Sequence, residues 1–230
     1  MNAFPSIPAA LPLFPLPLAL FPGTPQLLHV FEPRYRQLVE DCMAGERRFG
    51  LSCLGAGRSD PEPGDVGCVA RIVSHQALPD GRSNLLTNGE SRFEITALVP
   101  TDRLYRVAHV QAFDDDPADP AGLADLAREA WTAFRALAAL LNADPMPPAV
   151  APADPRDVSF AVAGALEMDV EIKERLLRTR STGDRLRRLI SLVNRFRTGL
   201  EPAAGLQATV RRNGNGRPPT PPPSPPAPAP

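Results

Sequence analysis

The chain has 230 residues, a formal net charge of -1, and a composition that is 43% hydrophobic and 22% charged. That length holds one large domain or two small ones. Near-neutral charge gives no whole-molecule attraction to nucleic acid or to a membrane surface, so neither is read as a partner from charge alone.

Proline, at 29 residues, is the compositional departure, and it crowds the first 25 residues, residues 145–155 and residues 218–230. Such runs mark extended segments, a linker and a low-complexity end. Lys173 is the only lysine among many arginines, a usage that points to a GC-rich bacterial genome. Cys42, Cys53 and Cys68 are odd in number and widely spaced, which argues against a disulfide framework and for a reducing, cytoplasmic compartment. No apolar run reaches ~18 residues without a breaker, so no membrane span is expected. The apolar N-terminus lacks a basic flank, and Pro5, Pro8, Pro12, Pro15 and Pro17 would break a signal-peptide helix; it is read as part of the mature protein.

In chain order, Leu11 to Leu20 reads as an extended, proline-rich edge strand. Phe21-Pro22-Gly23-Thr24-Pro25 has turn chemistry, and Gln26 to Phe31 follows as a second strand. Pro33 suits a first helical turn, Tyr35, Leu38, Val39 and Cys42 give one apolar helix face, and Gly45 stops it. Phe49–Leu54, Val66–Leu78, Arg82–Thr87, Arg92–Val99 and Leu104–Phe113 read as strands. Pro79-Asp80-Gly81 and Asn88-Gly89 carry hairpin-turn signals between them.

The character changes at Asp114-Asp115-Asp116-Pro117. Asp119 and Pro120 signal the start of a helix through Leu126, Ala127, Ala130, Phe134, Leu137 and Leu141. A proline-rich connection leads to a helix opened by Asp154-Pro155, a third capped by Asp169, and a fourth opened by Ser181 with Asp184 as a capping box. From about Asn213 the composition is low-complexity and is expected to be disordered and dispensable for folding. The expected division is 1–117 β-rich, 118–200 a helical bundle, and 201–230 a disordered proline-rich tail. The acidic turn and the proline-rich stretch are expected near the surface, since buried charge is costly, and unfolded polypeptide is expected to bind at the seam between the two halves or along a barrel edge beside it.

Two stretches carry a recognisable pattern. One runs Leu11-Pro12-Leu13-Phe14-Pro15-Leu16, Leu20-Phe21-Pro22-Gly23, Val30-Phe31-Glu32-Pro33-Arg34-Tyr35 and Phe49-Gly50-Leu51. The other runs Gly64-Asp65-Val66-Gly67, Pro79-Asp80-Gly81-Arg82 and Gly89-Glu90-Ser91-Arg92-Phe93. Together they resemble the N-terminal, substrate-binding domain family of Lon proteases. A weaker likeness continues through Phe160–Leu166 and Lys173–Leu177. The resemblance implies an α+β fold: a PUA-like pseudo-β-barrel followed by a C-terminal α-helical bundle. It implies recognition of unfolded or degron-bearing proteins, with a protease as a further partner. The 230 residues contain no G-x-x-x-x-G-K-[ST] phosphate loop, so the expectation is a stand-alone, non-catalytic member without ATPase or peptidase modules.

Other motifs are weak. No G-x-S-x-G elbow is present, and His29, His75 and His109 sit in strands without catalytic spacing. The cysteines lack short zinc-ligand intervals and read as small buried hydrophobes. Gly55-Ala56-Gly57 is a loop without a third glycine. No catalytic, cofactor-binding or metal-ligating residue is assigned. The basic stretch Lys173–Arg197 supports an alternative, a PUA-like RNA-binding module, but its arginines interleave with a Leu/Ile stripe as on a solvated helix. The family-signature segment Phe31, Glu32, Pro33, Arg34, Tyr35 is read as structural. Phe31 and Tyr35 are expected in the core, with Phe31 as an anchor where strand meets helix, and Glu32 and Arg34 pairing locally.

Overall fold

The computed structural model describes residue 8 and residues 10–55, 57–117 and 122–213, with side chains as far as residue 199. The extreme N-terminal apolar residues, the Asp119-Pro120 start signal and the low-complexity end from residue 214 lie outside the described residues.

The fold is mixed α+β. Six strands form one sheet: β1 (Ala10–Leu16), β2 (Pro25–Val30), β3 (Arg48–Cys53), β4 (Val66–Ala77), β5 (Ser83–Val99) and β6 (Arg106–Ala112). Their spatial order is β2-β5-β4-β3-β1-β6, and β6 also pairs with β5. Hydrogen bonding therefore runs from β5 through β4, β3, β1 and β6 back to β5. Only β1 and β3 pair in parallel. The chain passes from one to the other through β2 and the helix α1 (Pro33–Ala44), since parallel neighbours need a crossover.

Alternation along the strands buries both faces of this sheet. Leu11, Leu13, Val69, Phe93, Ile95 and Ala108 pack together on one side. Phe14, Phe49, Leu51, Ala70 and Ile72 face the other side, where Tyr35, Leu38, Val39 and Cys42 of α1 cover them. Pro33 opens α1 and Gly45 follows its last turn, as the helical spacing anticipates.

The structure corrects two expectations here. Asn88-Gly89 does not turn the chain: β5 runs unbroken through it, pairing Asn88 with Pro25 and Arg71 and Gly89 with Ala70. Glycine is present because backbone passes close by. A Cβ at Gly89 would lie 2.1 Å from the Phe21 carbonyl oxygen, and the 21–24 turn bonds to that glycine through Gly23 and Thr24 at 2.8 and 3.0 Å. The second correction concerns Phe31, which is 59% exposed and not a core anchor. Strand alternation decides this: Leu28 and Val30 point inward, so Leu27, His29 and the residue after Val30 point out.

The C-terminal part holds α2 (Leu123–Leu140), α3 (Pro155–Ala165), α4 (Val170–Arg178) and α5 (Thr182–Asn213). Asp154 caps α3 by accepting from the Arg156 N–H at 2.8 Å, and Ser181 accepts from the Asp184 N–H at 3.1 Å at the start of α5. Asp169 precedes α4 without a side-chain cap bond. The helix α5 continues past residue 200 to Asn213, into the stretch expected to be tail. Helices α2, α3 and α5 pack on one another through Trp131, Phe134, Val158, Val162, Leu186 and Val193. Phe21, Cys53 and Val66 from the β-rich half join this same core. At Gly164 a Cβ would lie 2.6 Å from the Thr24 methyl, so α3 sits directly against the 21–24 turn.

Phe31→Ala should leave stability unchanged to within about 0.5 kcal/mol, whereas Phe49→Ala, emptying a fully buried site, should cost ~3–5 kcal/mol. Denaturant titration of the two variants checks this ordering.

Candidate functional site

The two halves meet over a buried charge cluster. Arg92 on β5 donates to the carbonyls of Leu177 and Thr179 at 2.6 and 2.9 Å and pairs with Asp115. Arg185 on α5, fully buried, donates to Asp115 Oδ2 at 2.6 Å, Thr179 O at 2.6 Å and Ser159 Oγ at 2.7 Å. The Thr182 hydroxyl also bonds Asp115. The Phe160 ring lies under both guanidiniums, 4.2 Å from Arg185 and 5.3 Å from Arg92. Burial pulls Arg92 down to about 10 against the field of Asp115, and pulls Arg185 down as well. Both stay protonated at neutral pH. The Asp115 side chain is only 10% exposed, which corrects the expectation that the acidic turn lies wholly at the surface. Asp114 and Asp116 are exposed; Asp115 turns in because two cations and a hydroxyl satisfy it.

This seam leaves a cavity of only about 20 Å³ among Pro22, Arg92, Asp115 and Phe160. It is too small and too charged to take an apolar peptide. Exposed apolar side chains occur on both halves, among them Leu27, Phe31, Val73 and Leu104 on the β-rich one, but the groove lined mainly by apolar residues lies on the helical side. A groove of about 820 Å³ runs between α2, the 143–148 segment, the end of α3 and Phe196 of α5. Trp131, Phe134 and Leu137 form its floor, and Leu141, Met146 and Phe196 stand exposed at its walls. Pro25, at the start of β2, is the contribution of the β-rich half. Such a groove can bind apolar side chains without charge; among the described residues, Glu167 is the one ionisable residue along it.

A family model described as the ATP-dependent protease La (LON) substrate-binding domain matches residues 10–195. The chain belongs to this family. It is 29% identical over 200 residues to a Lon protease of Roseiflexus castenholzii, covering 84% of this chain and 25% of that protein. It is 27% identical over 213 residues to the Lon protease of Rhizobium meliloti, covering 89% and 26%. The chain thus spans about a quarter of the length of these relatives. Among solved structures, the N-terminal domain of the Mycobacterium avium complex Lon protease superposes with a TM-score of 0.64 at 18% identity, covering 80% of this chain and 98% of that one. A Lon N-terminal domain protein from Xanthomonas campestris gives 0.55 at 26% identity, covering 79% and 97%.

Within this Lon substrate-binding domain, the segment 31–35 joins α1 to the sheet. Glu32 occupies the N-cap position and pairs with Arg34 at 2.9 Å, and Pro33 opens the helix. Tyr35 stacks on Phe14 with ring centroids 4.0 Å apart and its hydroxyl donates to the Pro15 carbonyl at 3.4 Å. Arg34 lies over the Tyr35 ring. Cys42, Cys53 and Cys68 are free and buried; burial pushes the thiols of Cys42 and Cys53 up to about 12 and Cys68 higher still. They are protonated at neutral pH and far from being thiolate ligands or nucleophiles. His29, His75 and His109 lie on three strands with their side chains exposed, and the structure does not bring them together. Within the basic stretch, Arg185 turns into the core, Arg180 pairs with Asp116 at 3.1 Å and Arg187 with Asp184 at 2.9 Å.

Sequence reasoning missed the groove. It took Leu141 as the end of the buried stripe and the 143–153 stretch as a mere connection. The available signal was the concentration of Met146 and prolines directly after an aromatic-bearing helix. As for the seam, Asp115→Ala leaves two buried guanidiniums without a counter-ion and should cost ~3–5 kcal/mol; Asp114→Ala, at an exposed position, should cost less than about 0.5 kcal/mol. Thermal unfolding of both variants measures the difference.

Proposed function

We propose that this chain is a non-catalytic protein-binding module that takes unfolded or degron-bearing polypeptides, acting as an adaptor or regulator of proteolysis, and that the apolar groove on the helical side is its binding surface. One observation carries the reading: a family of substrate-binding domains has here an open apolar groove with exposed Leu141, Met146 and Phe196 along it. Exposed apolar surface of this kind marks interaction sites. The closed strand pairing supports reading residues 1–117 as a PUA-like pseudo-barrel, and the mutual packing of α2, α3 and α5 supports reading 118–200 as a helical bundle. An apolar groove grips exposed hydrophobic side chains, which folded proteins hide and unfolded ones display. Placing the site in the groove rather than in the seam follows from volume and charge. Arg180, Arg185 and Arg187 of the basic stretch are held in ion pairs, which leaves fewer of its cations to neutralise phosphate and weighs against the RNA-binding alternative.

The test is a fluorescence-anisotropy titration with a reduced, carboxymethylated polypeptide and with an RNA oligomer, at low and high salt. Polypeptide binding should persist at high salt, and Leu141→Asp with Met146→Asp should weaken it about tenfold or more, the effect of losing ~1.4 kcal/mol of apolar contact. Binding of RNA alone, collapsing as salt rises, would replace this reading with the nucleic-acid one.

A further inference from the structure

We propose that the groove is also the docking site of this chain's own proline-rich segment, Pro218–Pro230, which competes there with polypeptide substrates. The competition rests on the function proposed above; the docking does not. Chemistry first points to the occupant. The segment Pro218-Pro219-Thr220-Pro221-Pro222-Pro223-Ser224-Pro225-Pro226 and onward carries no charged side chain and nine prolines. Proline at this density presets the polyproline II helix, which has no internal hydrogen bonds and little conformational entropy left to lose. Such segments dock in grooves lined by aromatic rings. This groove presents Trp131, Phe134 and Phe196.

One further feature fits the same occupant. The Trp131 indole N–H is buried without a hydrogen-bond partner among the described residues. Indole only donates, and a polyproline segment offers carbonyls while most of its residues lack an N–H. Met146 and Trp131 line both the groove and an adjoining hollow, and the proposal sets a prolyl carbonyl against that N–H with the flexible Met146 side chain moved aside.

The chain is long enough. Phe196 lines the groove and α5 ends at Asn213, a distance of about 26 Å at ~1.5 Å per residue. Gly214-Asn215-Gly216 is turn chemistry and allows the chain to reverse. At ~3.1 Å per residue, Pro218–Pro230 then spans about 40 Å, enough to run back along α5 and cover the groove. Tethering supplies an effective concentration of ~1 mM, so even a site of about 0.1 mM affinity is filled.

The experiment uses the full chain. Trp131 is the only tryptophan, and the three native thiols are buried, so Ser224→Cys takes a dansyl label selectively and reports its distance from Trp131 by energy transfer. Docking predicts strong transfer that is independent of protein concentration. It should fall when a synthetic peptide of residues 217–230 is added at millimolar concentration, and when Leu141→Asp or Pro222→Gly with Pro225→Gly is introduced. Transfer unaffected by the peptide and by Leu141→Asp overturns the proposal, as does transfer that appears only as concentration rises, which assigns the groove to a second copy. For the competition, Pro222→Gly with Pro225→Gly should tighten binding of the carboxymethylated polypeptide, up to about tenfold for the affinities above. Polypeptide that binds without lowering the transfer refutes competition. Polypeptide that binds neither chain refutes the proposed function, while the transfer change still reports on docking.

Discussion

Asp115 joins two arginines that come from opposite halves of the molecule, and the placement of α4 and α5 against β5 depends on that junction. Arg92 is held by β5, Arg185 by α5, and the carbonyls of Leu177 and Thr179 come from the end of α4 and the residue after its last turn. Removing two guanidiniums and a carboxylate from water costs several kcal/mol per ion. The cost is met only if every donor finds an acceptor in the right direction. That requirement is geometric. It admits one relative placement of β5, α4 and α5, where apolar packing alone would tolerate several. Phe160 beneath both guanidiniums and Phe113 beside Arg92 complete the enclosure.

The apolar packing around the cluster serves the same junction. Phe21, Cys53 and Val66 leave the sheet to enter the helical core, and Gly164 lets α3 approach the 21–24 turn. The same turn rests on Gly89 of β5. A chain of close contacts thus runs from β5 through the turn to α3, parallel to the charge cluster. A seam filled by charge and packed backbone has no room for a ligand. The apolar groove opens instead beside α2, where the 143–148 segment covers the helix incompletely and leaves Leu141, Met146 and Phe196 in solvent.

The mixed α+β class, most of the strand and helix succession (the split of β5 at Asn88-Gly89 excepted) and the membership of the Lon substrate-binding family were legible in the residues themselves. Local rules suffice for these: alternation made the strands, Pro33 and Gly45 bounded α1, and Asp154 and Ser181 opened α3 and α5. The cysteines' burial was legible for the same reason, since each falls on an apolar register. Phe31 shows where the local view failed. An apolar residue beside a strand and a helix looks like an anchor until the register says which side it faces, and register is a property of the pairing with β5.

What the sequence by itself determined is therefore everything set within a few residues: periodicity, caps, turns such as Pro79-Asp80-Gly81, and the short motifs that mark the family. Tertiary structure alone decided that Asn88-Gly89 continues a strand, that Asp115 turns inward while its two neighbours stay in water, and that an apolar groove opens beside Trp131. The physical reason is common to all three. A glycine serves a left-handed turn or a close backbone contact equally well, a carboxylate is buried or solvated according to whether cations converge on it, and a groove exists only between elements distant in the chain. Each outcome is set by partners far away in sequence, here Phe21 for Gly89, Arg92 and Arg185 for Asp115, and Phe196 for Trp131.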